Sequence, residues 1–326
     1  MTRPEKPNEF FKCVDNYLAN EKKEEFNSKQ HQYVASEEII HEYQGNLPPI
    51  EVPITPIEHL SFPNLEIIVL GKPENWKDPA NWHKLIPFLK ENGIETVYVP
   101  DCSTFTGRLG DPSDFKEQIE IEGIKFLSGS KCEGIIIPKG CAELILTADC
   151  FTGIYHNITN NIVIGFHAGL ASLFDKEHII NDASPRVNET IIDDLPKHQD
   201  ENDYEIFILG GINSNHFIYD VKHPEFGRGN KKMWNFFFEF YGTDAVSADS
   251  QKGNINLEGI IMLQLLSFGF KPTEIIFSKY HTYSDPCLHS HKYAVDHGQE
   301  TGGRNGIMVF SKQICNLQKN KLKILA

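Results

Sequence analysis

Short aliphatic and β-branched runs at 65–70, 97–99, 134–137, 144–146, 162–166, 206–209, 275–277 and 307–310 constrain this chain more than any other feature. Runs of this length make strands, and they fall far short of the roughly 20 apolar residues that a membrane span needs. Helical spacing appears between them. Trp82, Leu85, Ile86 and Leu89 sit at i, i+3, i+4 and i+7 before Gly93, with Pro87 expected to kink or shorten the helix. Leu257, Ile260, Ile261, Gln264, Leu265 and Phe268 repeat that spacing before Gly269. The pattern predicts one mixed α and β domain over 57–312, without internal repeats.

What precedes the domain has a different character. Residues 1–46 are polar and charged and read as a helical or partly disordered arm. Residues 47–56 carry Pro48, Pro49, Pro53 and Pro56. Each proline removes a donor and biases its predecessor to extended geometry, so this stretch reads as a linker. Residues 313–326 read as a basic polar tail.

Charge narrows the partners. With 31 basic and 45 acidic residues the net charge is −14, and a phosphate polyanion is repelled by such a surface. Nucleic acid and membrane are therefore not expected as partners. The start carries no apolar run of a secretory leader, and seven thinly spread cysteines suit reduced thiols better than a disulfide framework. A reducing cytoplasm fits, although a chain exported by an unrecognised signal has the same appearance.

Two motifs carry most of the chemistry. Thr147-Ala148-Asp149-Cys150 and Gly165-Phe166-His167-Ala168-Gly169 each lie at the end of a predicted strand, which places Cys150 and His167 where side chains leave the core. A thiolate and an imidazole 17 positions apart are ligand types that zinc prefers. They are equally a nucleophile and its base. The plain alternative is a small buried thiol and a satisfied core histidine. Further on, Cys287-Leu288-His289-Ser290-His291-Lys292 precedes a glycine-rich turn containing Arg304, and Gly210-Gly211 ends the run at 206–209. Arginine presents a planar fork to phosphate or carboxylate.

Taken in order, these segments resemble the multicopper polyphenol oxidase or laccase-domain family, whose members act as zinc-dependent purine nucleoside phosphorylases. The resemblance rests on Thr147 to Cys150, His167-Ala168-Gly169, Gly210-Gly211 with Tyr219-Asp220-Val221, the segment from Asn256 to Gly269, and Cys287 to Arg304, and spans roughly residues 130–310. It implies an α+β fold in which mixed sheets are sandwiched by helices in αββα layers. It also implies zinc held by Cys150 and His167, with a purine nucleoside and phosphate, or adenosine for deamination, as substrates. Asp149 would orient the metal shell or move protons, and Arg304 would meet phosphate or ribose.

The sequence departs from that family twice. The family's third ligand, a histidine on an earlier strand end, is absent where Val99-Pro100-Asp101-Cys102-Ser103 stands, so Cys102 is the expected substitute, with His281, His289 or His291 as other fillers. The family's histidine motif continues through tryptophan, arginine and glycine, whereas this one continues Leu170-Ala171-Ser172, leaving Arg304, Lys292 or the helix start after Gly169 to supply positive charge. Two other functions compete. The fold also resembles the catalytic domain of cytotoxic necrotising toxins, and in a metal-free cysteine hydrolase or deamidase Cys150 would be the nucleophile and His167 its base. A catalytically degenerate domain would bind a nucleoside, or a protein through the polar arm. Copper-dependent phenol oxidation lacks the additional histidines it needs.

Overall fold

A computed structural model describes residues 56–102, 107–174, 190–199, 201–246 and 253–312. The arm over 1–46, all but the last residue of the linker over 47–56 and the tail over 313–326 lie outside the described residues. Thirteen strands are described: β1 (Glu58–Ser61), β2 (Leu65–Leu70), β3 (Thr96–Tyr98), β4 (Leu109–Gly110), β5 (Glu117–Ile121), β6 (Ile124–Ser128), β7 (Gly134–Ile136), β8 (Cys141–Thr147), β9 (Phe151–Asn157), β10 (Ile162–Ala168), β11 (Tyr204–Leu209), β12 (Ile275–Phe277) and β13 (Asn305–Ser311). Five α-helices accompany them: α1 (Ile86–Glu91), α2 (Leu170–Leu173), α3 (Gly227–Tyr241), α4 (Leu257–Ser267) and α5 (His291–Asp296).

The strands form two mixed sheets, one ordered β1-β2-β13-β8-β3-β6-β5 and the other β12-β11-β9-β10-β7-β4. Alternation along each strand decides what lies between them. In β2, Leu65, Ile67 and Val69 join Ile307 and Val309 of β13 and meet Ile135, Ile154, Val163 and Phe207 of the second sheet. The opposite side chains of the same strands, Ile68, Leu70, Met308 and Phe310, pack outward on Trp82, Leu85, Ile86 and Leu89. The second sheet turns Tyr155, Phe166, Ile206 and Ile208 outward onto Met233, Trp234 and Phe237 of α3 and Ile260, Ile261 and Leu265 of α4. The result is helix, sheet, sheet, helix, the expected α+β architecture of mixed sheets sandwiched in αββα layers.

The periodic stretch around Trp82 is not one kinked helix. A 3₁₀ segment, Pro79–Leu85, hands over to α1 at Ile86, and Pro87 falls in the first turn of α1. Proline is tolerated there because the first-turn donors have no partner within the helix. The run after Asn256 forms α4, opened by the Asn256 side chain accepting from the Gly259 amide at 3.2 Å. Five cysteines among the described residues are unpaired: Cys102, Cys132, Cys141, Cys150 and Cys287. No helix among the described residues is long and apolar enough to cross a membrane.

Candidate active site

Register builds the site. β10 pairs with β9 so that His167 lies opposite Thr152 and Ala168 opposite Phe151. One step further, Cys150 and Gly169 face each other as the strands end. On its other side β10 pairs with β7, and the His167 amide donates to the Glu133 carbonyl at 2.6 Å, just before β7 begins. Neighbours across a sheet point their side chains to one face. Cys150, His167 and Glu133 therefore share the face of the second sheet that looks toward the first, at the end of the inter-sheet layer.

The imidazole is gripped from both ends. Its Nδ1 lies 2.7 Å from Glu133 Oε2 and 3.0 Å from Ser172 Oγ, while the Ser172 hydroxyl donates to the same Glu133 oxygen at 2.8 Å. The ring also makes a side-chain hydrogen bond with Cys150. Glycine at 169 is what allows this approach. A Cβ there would stand 2.7 Å from His167 Cε1, 2.9 Å from Cys150 Sγ and 3.1 Å from His167 Nε2. A sulfur and an imidazole nitrogen thus meet at one point. Glu133 is fully buried and His167 is 4% exposed, whereas Cys150 is only partly covered.

Electrostatics follow from this enclosure. Burial by itself would drive His167 toward its neutral form, but Cys150 and Glu133 outweigh it, and the imidazole is pushed up to about 10 from 6.5. Burial, and then Cys150, push the Tyr219 phenol up to about 12.

The turn presenting Cys150 is fastened by the residue before it. Asp149 has φ +80°, a left-handed backbone that a non-glycine residue adopts at a cost. Its Oδ1 accepts from Thr282 Oγ1 at 2.7 Å, its Oδ2 from the Lys292 amide at 2.7 Å, and its carbonyl from the Ile212 amide at 2.8 Å. Both carboxylate oxygens are thus engaged in holding loops around the cysteine. Thr147 Oγ1 donates to the Cys150 carbonyl at 2.7 Å and closes the same turn.

The remaining sequence candidates fall in different places. Cys102 follows β3 and is buried, and its Sγ, a Glu133 carboxylate oxygen and a His167 ring nitrogen all lie within 4.8 Å of one another. Cys150 is not a member of that group. Burial and then Glu133 push the Cys102 thiol well above its ordinary value. Arg304 turns back on its own loop, its Nη1 donating to the Gly303 carbonyl at 2.9 Å and to the Thr301 carbonyl at 3.4 Å. His289 Nε2 meets the Glu74 carbonyl at 2.7 Å. His291 is exposed, Lys292 pairs with Asp296, and His281 Nδ1 has no hydrogen-bond partner among the described residues.

The group of Cys102, Glu133 and His167 can hold a metal ion. Thiolate, carboxylate and imidazole at zinc lie about 3.3–3.8 Å apart when each bond is 2.0–2.3 Å long, so a modest contraction suffices. Glu133 Oε1 is buried without a hydrogen-bond partner among the described residues, which leaves one acceptor for a cation. The donor set therefore fits zinc.

Glu133 and Ser172 escaped the sequence reading. An acid directly before a buried strand, in Cys132-Glu133-Gly134, is a weak sign of a residue at a strand end. Ser172 occupies the position where the resembled family has glycine, and nothing in its spacing points to His167.

No family model and no curated protein matches this chain. Among solved structures it is similar to the Bacillus licheniformis hypothetical protein YfiH, at 15% identity and TM-score 0.49, covering 75% of this chain and 92% of that one. It is also similar to the Neisseria meningitidis protein NMB0706, described as DUF152, at 11% identity and TM-score 0.46, covering 78% and 99%. YlmD from Geobacillus stearothermophilus shows 14% identity and TM-score 0.44, covering 76% and 92%. At such identities these structures speak to no residue's role.

Proposed function

We propose that this chain is a metal-independent cysteine hydrolase acting on an amide or a related acyl bond, with Cys150 as nucleophile, His167 as base and acid, and Glu133 as the group that orients the imidazole. One observation carries the proposal: His167 meets Cys150 while its Nδ1 is fixed by a fully buried carboxylate at 2.7 Å. That order of nucleophile, base and orienting acid is the working arrangement of acyl-transfer enzymes.

The steps follow from the geometry. His167 Nε2 takes the thiol proton, and Cys150 Sγ attacks the carbonyl carbon. The bond to the leaving nitrogen breaks as Nε2 returns the proton to it, which leaves a thioester on Cys150. Water then gives a proton to Nε2 and attacks the thioester. The carbon–sulfur bond breaks, the acid departs, and the thiol regains its proton. Glu133 stabilises the imidazolium at each stage, which accords with a histidine pushed up to about 10.

The test is thiol reactivity on the full chain. Iodoacetamide should label Cys150 faster than the exposed Cys287, and His167→Ala should abolish that advantage. Labelling of Cys150 no faster than Cys287 in chelator-treated protein would overturn the proposal. A deamidase would also release ammonia from glutamine-containing peptides, with Cys150→Ala inactive.

A second reading is favoured by the unpartnered Glu133 Oε1 and the adjacent Cys102 thiol. In it, Cys102, Glu133 and His167 hold zinc, which when bound would polarise a water or substrate oxygen, and the substrate is a purine nucleoside with phosphate or adenosine alone. One zinc per purified chain together with adenosine turnover would support it. Arg304, engaged with its own loop, gives phosphate little to bind, so the thiol reading is preferred.

A further inference from the structure

Ser172 sits beside the proposed nucleophile and base without a part in the chemistry just described, and its hydrogen bonds are unusually informative. It is fully buried on α2, four positions after Ala168 ends β10, and its hydroxyl has one proton to give. That proton goes to Glu133 Oε2 at 2.8 Å. The serine oxygen is then left with lone pairs, and one of them lies 3.0 Å from His167 Nδ1. Glu133 Oε2, itself an acceptor, lies 2.7 Å from the same nitrogen. Two acceptors converge on Nδ1, and an unprotonated nitrogen there would face lone pairs from both.

We infer that Ser172 is a positioning residue for the proposed hydrolase: by donating to Glu133 and accepting from Nδ1, it keeps the proton on Nδ1 and leaves Nε2 as the nitrogen that exchanges a proton beside Cys150. This rests on the reading of Cys150 and His167 as nucleophile and base. The chemical need is plain. Once Nε2 has given its proton to the leaving nitrogen the imidazole is neutral and carries one proton, and if that proton sat on Nε2 the ring could not take the proton of the attacking water. Glu133 alone favours the correct tautomer, but its Oε1 has no hydrogen-bond partner among the described residues, so without Ser172 its carboxylate would lose a donor at the oxygen that holds the ring. The serine thereby locks the rotamer of the acid and the tautomer of the base together.

The experiment compares wild type with Ser172→Ala, Ser172→Thr and Ser172→Val in the full chain. The readouts are the iodoacetamide labelling rate of Cys150 at one neutral pH and the nitrogen-15 NMR signature of the His167 ring. Wild type should show a proton resonance on Nδ1. Ser172→Ala should lose or broaden it and slow labelling about tenfold or more, the scale of losing one hydrogen bond to a charged group. Threonine and valine are the same size and differ by the hydroxyl, so the pair separates shape from hydrogen bonding even where the alanine variant fails to fold. Threonine retaining the resonance and the labelling rate while valine loses both supports the inference. Threonine and valine behaving alike, or an unchanged ring signature in Ser172→Ala, overturns it. Wild-type Cys150 labelling no faster than Cys287 would instead defeat the hydrolase reading, whatever the serine variants do.

Discussion

Gly169 is where one atom decides access to the chemistry. A methyl group there would stand 2.7 Å from His167 Cε1 and 2.9 Å from Cys150 Sγ, closer than carbon contacts of about 3.5 Å at which attraction is optimal. Gly169→Ala should therefore push the imidazole off Glu133, slow Cys150 labelling by about tenfold or more, and cost about 1–3 kcal/mol in urea unfolding, the usual scale of overpacking. Unchanged labelling would mean that the space beside the sulfur is not the reaction site. The charge on His167 supplies a second prediction. Its folded value, raised to about 10 from 6.5, makes the imidazolium a stabilising group below the lower value, and that stabilisation is lost as pH rises toward the higher one. Wild-type unfolding midpoints should fall across that window. Cys150→Ser, which removes the sulfur held next to the ring, should flatten the fall, and parallel pH profiles for the two proteins would refute the coupling. Cys150 and His167 were legible in the sequence because each is a local signal, a polar residue at the end of an apolar run. Glu133 and Ser172 were not, since they reach the imidazole through strand register and a short helix, which no local spacing encodes.

Among the elements, the joint between β7 and β10 determines whether acid and base meet. Gly134 opens β7 right after Glu133, and a Cβ at that position would stand 2.0 Å from the Gly165 carbonyl oxygen and 2.7 Å from Phe166 Cα. Both obstacles are backbone, so relief requires the two strands to separate. Gly134→Ala should cost about 3 kcal/mol or more, at the severe end for single substitutions, and should remove the fast labelling of Cys150 in whatever fraction remains folded. A variant with wild-type stability would show that the close approach is unnecessary. On α3 the contrast lies between adjacent aromatics. Phe237 is fully buried and Phe238 is 44% exposed, so Phe237→Ala should cost about 3–5 kcal/mol and Phe238→Ala within about 0.5 kcal/mol. Equal losses would place the wrong face on the sheet. Elements with a clean apolar boundary were readable from sequence: the runs at 65–70 and 275–277 coincide with β2 and β12. β9 was not, because it is buried along its whole length and includes Gly153 and His156, so it shows no alternation and no uniform apolar run. β5 escaped for the opposite reason. Its Glu117, Gln118 and Glu120 are exposed at the edge of the first sheet, where a strand keeps little apolar signature.

At the scale of the whole molecule, two sheets face each other across an apolar layer, and the Glu143 carboxyl lies within it. Glu143 projects from β8 of the first sheet to the backbone of Ile135 and Gly165 in the second, close to the strands that carry Glu133 and His167. It is fully buried, neither oxygen makes a hydrogen bond of good geometry among the described residues, and burial holds its carboxyl well above the usual carboxylate range. The four-layer architecture came from family resemblance, and nothing in the alternation of β8 marks Glu143 as inward-facing except that Ile145 shares its parity. Burial between the sheets disfavours the ionised form of this acid. With a folded value raised above 4.5, its contribution to stability is whole below that pH and is lost as pH rises toward the folded value, because the unfolded chain then gains by ionising. Glu143→Gln keeps the shape and removes the proton to be lost. It should raise the urea midpoint near neutral pH, and the advantage should close as the pH is lowered toward 4.5. An advantage that persists unchanged at acid pH would mean that packing, not the proton, governs this position. An unstable glutamine variant at both pH values would mean that the carboxyl itself ties the two sheets together, and with them the register that brings Glu133 to His167.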